Sequence, residues 1–267
     1  MRTVVVHYHI FKNAGSSIDQ GLRETFGDAW TSFEGSHAHD VMRSSRLASF
    51  LCEHPQILAV SSHLARPPLP WEGCIPIVFV RHPVLRARSV YEFVRNDPSQ
   101  PFHAALRERS FREFCGGWLR GEIGSVVAHN YQVIHLSGAS FRSGHILDTT
   151  AMHCDLEEAM QMIEQWGFVG IVELFAESLA AYNAKLARSP LDVSLPVRQV
   201  NRSEPASADA VENTDSLLET LRNDLGSDLY TSMLELNALD LQLYQFARQR
   251  LLAAHPVRPC RSAAEAP

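Results

Sequence analysis

Thr3 to Ile10 is a short, mostly β-branched apolar run, the pattern of a parallel strand buried on both faces. Lys12-Asn13-Ala14-Gly15-Ser16-Ser17 breaks it. After the break Ile18, Leu22 and Phe26 recur every four residues with Asp19, Arg23 and Glu24 between them, which predicts an amphipathic helix. Ile57–Ser61 and Ile75–Val80 read as two further core strands. The second runs into Arg81-His82-Pro83, and proline suits the first turn of a helix carrying Val84, Arg88, Tyr91 and Arg95.

Downstream the pattern is mostly helical. Helices are expected over Phe102–Gly121, Ser125–Leu136, Glu177–Leu186, Asp215–Leu225 and Asp228–Leu252. Asp155-Leu156-Glu157-Glu158 predicts a capped helix start leading to Trp166, and Phe168–Val172 a short strand. Residues 189–213 are loop-like, with Pro190, Pro196 and Pro205. No internal repeat interrupts this order. Alternating strands and helices predict an α/β fold: a P-loop-type parallel sheet flanked by helices, with a helical C-terminal elaboration. Residues 1–254 are expected to form a single domain and 255–267, rich in Pro and Ala, a disordered tail.

The composition of the 267 residues is that of a globular protein, with 45% apolar and 20% charged positions. A net charge of −6 argues against a general nucleic-acid binder, whose footprint would be basic. Lysine is scarce: 22 Arg and 2 Lys make up the 24 basic residues, so the position of Lys12 carries information. Five scattered cysteines (52, 74, 115, 154, 260) without a CxxC fit free thiols in a reducing compartment rather than a disulfide framework or a zinc site. No apolar stretch reaches the length of a membrane span, and His7, His9 and Lys12 interrupt the N-terminal apolar run too early for a signal peptide. A cytoplasmic location is expected.

Strand, Lys12–Ser17 turn, then helix is the layout of a phosphate cradle. Gly15 permits close backbone approach, the helix N-terminus offers free N–H groups and a positive dipole, and Ser16 and Ser17 add hydroxyls. It departs from GxxxxGK[ST], because Gly15 is followed by serine and the lysine stands three positions earlier. An ordinary strand–helix turn would share this layout. A second segment adds weight. Arg81 sits at a strand end with Ser89 about two helical turns on, and a guanidinium with a hydroxyl can grip a second phosphate. Between 81 and 95 four arginines (81, 86, 88, 95) face Glu92 alone, a basic patch on an acidic chain. Arg86, Arg88 and Arg95 also read as a solvated helix face.

Together these residues resemble the sulfotransferases that use 3′-phosphoadenosine 5′-phosphosulfate (PAPS), especially the Golgi carbohydrate branch that includes heparan sulfate 2-O-sulfotransferase. His9-Ile10-Phe11-Lys12-Asn13-Ala14-Gly15-Ser16-Ser17 is similar to that family's 5′-phosphosulfate loop, H-x-P-K-T-A/G-G-S/T-S/T. Phe11 stands where proline is usual and Asn13 where threonine is. Val80-Arg81-His82-Pro83-x-x-Arg86-x-x-Ser89 is similar to the 3′-phosphate motif. Weaker likeness continues through Asn130-Tyr131-Gln132, Phe168–Glu173 and Asn201-Arg202-Ser203.

The resemblance implies a PAPS site formed by Lys12, Asn13, Ala14, Gly15, Ser16, Ser17, Arg81, Ser89, Asn201 and Arg202, with no metal required. It also implies a general base from a histidine just after the second core strand. Ala59-Val60-Ser61-Ser62-His63-Leu64 matches that stretch and places the role on His63. His7 and His9 lie in strand 1 and read as structural. His37, His39 and Asp40 form a loop cluster with imperfect metal spacing. In such a reaction Lys12 would stabilise charge on the oxygen between sulfur and the 5′-phosphate, and His63 would take the proton of an acceptor hydroxyl on a carbohydrate or other small metabolite. An acid such as Glu34 or Asp40 is the competing base. A P-loop nucleotide or sugar kinase and a non-catalytic nucleotide-binding protein are the alternative readings.

Overall fold

The computed structural model describes residues 2–35, 40–122, 129–143, 149–196 and 210–255, with the backbone alone for 143 and 210–213. Strands β1 (Val4–Tyr8), β2 (Trp30–Ser32), β3 (Ala59–Ser62) and β4 (Cys74–Ile77) form a parallel sheet in the order β2-β3-β1-β4. Every residue of β1, β3 and β4 is buried, which is why these strands read as continuous apolar runs instead of alternating ones. β5 (Phe79–Val80) continues the line of β4 after one residue and pairs in parallel with β6 (Gly170–Ile171). The break at Val78 is filled by the Tyr182 hydroxyl, which accepts from the Val78 N–H at 3.0 Å and donates to its carbonyl at 2.7 Å.

Helices α1 (Gly15–Phe26), α2 (Ser44–Glu53) and α3 (Pro83–Asn96) follow the first, second and fifth strands, so the fold is α/β with helices flanking a parallel sheet. α4 (His103–Leu106), α5 (Phe111–Leu119), α6 (Tyr131–Leu136), α7 (Ser140–Ser143), α8 (His153–Trp166) and α9 (Phe175–Ala187) come next. α10 (Ala210–Leu225), α11 (Ser227–Leu236) and α12 (Ala238–Ala254) complete the helical C-terminal part. The expected single helix over Phe102–Gly121 is two. Ser110 caps α5 through a reciprocal pair with Glu113, and that capping box interrupts the pattern. α8 starts two residues before Asp155, which sits at its third position, accepts the Met152 N–H at 2.7 Å and grips Arg142.

Two apolar cores result. The larger surrounds the sheet. The smaller joins α3 and α5 to the C-terminal helices through Val84, Tyr91, Phe111, Trp118, Leu225 and Met233. Phe11, at the carboxyl end of β1, packs against both. The chain between β1 and α1 is therefore fixed from two sides.

Candidate functional site

The carboxyl ends of β1, β3 and β5 carry the segments that the sequence singles out, as expected for a ligand crevice in a parallel sheet. Lys12 and Ala14 both take left-handed backbone conformations, with φ of 65° and 61°. Neither is glycine, so the turn is held by its surroundings against a cost of about 1–3 kcal/mol per residue. Ala14, the N-cap residue, has no side-chain acceptor for the first amides of α1, and the positive end of the helix faces the turn. Ser16 is exposed and Ser17 buried. Gly15 has a packing reason for its identity. A Cβ there would lie 1.9 Å from Nε2 of His9, whose ring fills the space a side chain would take.

Two arginines brace this turn from behind. Arg81, just past β5, donates from Nη1 to the Lys12 carbonyl at 3.3 Å, and its Nε lies 3.7 Å from Glu173. Arg86 is 2% exposed, donates from Nε to the Phe11 carbonyl at 3.2 Å and lies over the Tyr131 ring. Arg86 is thus a core residue and not part of a solvated face. Arg88, paired with Glu92, and Arg95, on the Arg107 carbonyl, do belong to such a face. The Lys12 ammonium sits 4.3 Å from the Phe93 ring centroid. Burial pushes its pKa down and the Arg81 charge pushes it further; burial lowers Arg81 as well, against Glu173 and Glu92. Ser89 is half-buried on α3, two turns from Arg81.

A buried hub ties these pieces together. Gln132 Oε1 accepts from the Arg81 N–H and from Asn13 Nδ2, both at 2.7 Å, while its Nε2 donates to the Arg81 carbonyl at 2.9 Å and to Asp240 at 3.3 Å. Asn13 donates a second time, to the Phe79 carbonyl at 2.8 Å. Both hydrogens of its amide are thus engaged inside the protein, linking the turn after β1 to β5 and α6, while Oδ1 is buried without a hydrogen bond among the described residues. Asp240 on α12 receives the N–H groups of Gln132 and Val133 and so caps α6. The sequence points to Asn130-Tyr131-Gln132 only as a weak likeness, because a contact spanning 119 residues leaves no local pattern.

A row of histidines lies beside the turn. Asp19 of α1 accepts from Nδ1 of His7 at 2.8 Å and from Nδ1 of His9 at 3.0 Å. Burial opposes the charge on Asp19, yet the two imidazoles hold its carboxyl well below the usual carboxylate range. The ligating atoms of these three residues lie within 4.8 Å of one another, close enough to share a metal ion, and in this structure they satisfy each other by hydrogen bonds. His9 is pushed down to about 4, mainly by burial, and is neutral at pH 7. Its ring stacks on His63 with centroids 3.8 Å apart. His63, first after β3, has a side chain 46% exposed, and its Nδ1 lies 3.0 Å from Glu34. Lys12, Ala14, Gly15, Arg81 and His63 thus gather beyond the carboxyl ends of β1, β3 and β5. Of the other anticipated residues, Asn201, Arg202, His37 and His39 lie outside the described residues.

No family model matches this chain. It is similar to an uncharacterized protein of Archaeoglobus fulgidus, with 26% identity over 252 residues, covering 91% of this chain and 95% of that one. Among solved structures it is similar to a sulfotransferase from Alicyclobacillus acidocaldarius at a TM-score of 0.37 and 13% identity, covering 86% of this chain and 96% of the other.

Proposed function

We propose that this chain is a sulfotransferase that moves the sulfuryl group of PAPS to an acceptor hydroxyl on a carbohydrate or other small metabolite, by in-line displacement. One observation carries the reading. Two cations, Lys12 in the turn after β1 and Arg81 just past β5, are joined through the Lys12 carbonyl beside the N-terminus of α1, and each is held below its ordinary pKa. A polyanion would relieve both at once.

PAPS, when bound, supplies the sulfuryl group and a leaving bisphosphate. The residues here suit its anionic ends. The amides at the start of α1 with Ser16 and Ser17 would hold the 5′-phosphate, and Arg81 with Ser89 the 3′-phosphate; Asn201 and Arg202 join them by resemblance alone. Lys12 would neutralise charge that grows on the departing oxygen, a contribution that is largest in the transition state. His63, with a half-exposed imidazole beside the same turn, would accept the proton of the acceptor hydroxyl.

Incubation with PAPS and a panel of hydroxyl acceptors, followed by chromatography of the nucleotides, tests this. Acceptor-dependent release of adenosine 3′,5′-bisphosphate is expected. Turnover of ATP·Mg with no use of PAPS would assign the chain to the kinases instead.

A further inference from the structure

His63 is held at its backbone, at Nδ1 and over one face of its ring. Glu34, in the segment after β2, receives the His63 backbone N–H on both oxygens, at 2.8 Å and 3.1 Å, and lies 3.0 Å from its Nδ1. Arg66 donates from Nη1 to the His63 carbonyl at 2.8 Å. His9 covers one face of the ring. His135, on α6, lies 3.4 Å from the same Arg66 Nη1. The side chain is nonetheless 46% exposed.

The same contacts separate Glu34 from the role of base. Besides His63, Oε2 accepts from Ser62 Oγ at 3.3 Å and Oε1 faces Ser32 Oγ at 3.5 Å. Both oxygens are already committed. Burial raises its pKa, but the donors from His63 and Ser62 outweigh that and hold it below the ordinary range, which makes a weak proton acceptor. One carboxylate that binds both the backbone N–H and the ring Nδ1 of a single histidine fixes the ring's rotation and its tautomer together.

We infer that Glu34 is the positioning residue of His63: it keeps the proton on Nδ1, presents the Nε2 lone pair outward, and supplies the counter-charge when that nitrogen takes up a proton. The inference rests on the proposed reaction for its purpose but not for its geometry. Around His63 the charged and titratable neighbours among the described residues include Glu34, His9, Arg66 and His135. Arg66 is a buried cation, so without Glu34 the balance at His63 turns against a second positive charge.

Nitrogen-15 NMR of the imidazoles in the full chain tests this without turnover. Wild-type His63 is expected to carry its proton on Nδ1 at neutral pH. In Glu34→Gln, whose amide can donate as well as accept, the proton should no longer be confined to Nδ1. In the same variant turnover should fall roughly 10–100-fold, part of the 10²–10⁴ that a positioned base supplies, with adenosine 3′,5′-bisphosphate affinity unchanged. Glu34→Asp, which retains the carboxylate, should recover most of the Nδ1 preference. A proton on Nε2 in the wild type, or an unchanged tautomer in Glu34→Gln, overturns the assignment. Absence of sulfuryl transfer in a wild type whose His63 behaves as stated would count against the proposed reaction and leave the hold on His63 standing.

Discussion

The imidazole of His9 occupies the place where a side chain on Gly15 would be, with Nε2 1.9 Å from the Cβ position. The first residue of α1 and the last polar residue of the β1 segment are therefore matched by shape. Gly15→Ala should displace His9, loosen its contact with Asp19 and destabilise the fold by about 1–3 kcal/mol, the scale of overpacking. Because the conflict is with one ring, His9→Ala combined with Gly15→Ala should cost less than the sum of the two single changes. Thermal unfolding of the four proteins measures the coupling; strict additivity would show that the two positions do not compete for space.

Gln132 makes buried bonds to Arg81, Asn13 and Asp240 at once. Gln132→Leu keeps the volume, strands the Arg81 N–H and carbonyl, and leaves the Asn13 amide with only its bond to the Phe79 carbonyl. About 1–3 kcal/mol is expected for each buried group left unsatisfied. Denaturant unfolding should show the loss, and bisphosphate affinity should drop with it because Arg81 loses its anchor. A variant as stable as the wild type would contradict the hub.

Acid should destabilise the protein well above the carboxylate range. His9 and His82 are held down to about 4 and His135 well below its ordinary value, chiefly by burial. In the unfolded chain these groups take up protons near pH 6.5. Between about pH 6.5 and 4 the unfolded state thus binds more protons, so stability rises with pH there and is lost as pH falls. Each such histidine contributes at most about 1.4 kcal/mol per pH unit inside that window. Urea melts at pH 7, 6 and 5 should give falling midpoints; equal midpoints would mean that the three rings are protonated in the fold.

Lys12 and Arg81 should separate kinetically. Arg81→Ala removes a charge-assisted contact worth about 1.5–3 kcal/mol and should weaken bisphosphate binding roughly ten- to a hundredfold. Lys12→Ala should lower kcat more than affinity, since its partner charge grows in the transition state. Affinity and turnover falling in parallel would make Lys12 a plain anchor.

Much of the framework was legible in the sequence because its signals are local. The β-branched run at Val4–Val6, the four-residue spacing of Ile18, Leu22 and Phe26, and Pro83 at a helix start each depend on neighbours within a few positions. Ser110 with Glu113 was equally readable as a capping box, and it marks where one expected helix is two. Other features arise only on folding. Arg86 reads as a surface arginine until α6 and α12 bury it; its burial depends on Tyr131 and on the Asp240 charge, far along the chain. Glu34 meets His63 across 29 residues, and Asn13 meets Gln132 across 119. His9, read as a structural strand residue, lies just past β1 and packs on both Gly15 and His63. Hydrophobic periodicity does not encode such polar pairings.

Calorimetric titration with adenosine 3′,5′-bisphosphate and, separately, with 5′-AMP tests the central claim most directly. Arg81 and Ser89 are assigned to a 3′-phosphate, so the bisphosphate should bind roughly ten- to a hundredfold more tightly, the equivalent of one charge-assisted contact. Equal affinity for the two nucleotides would contradict the account.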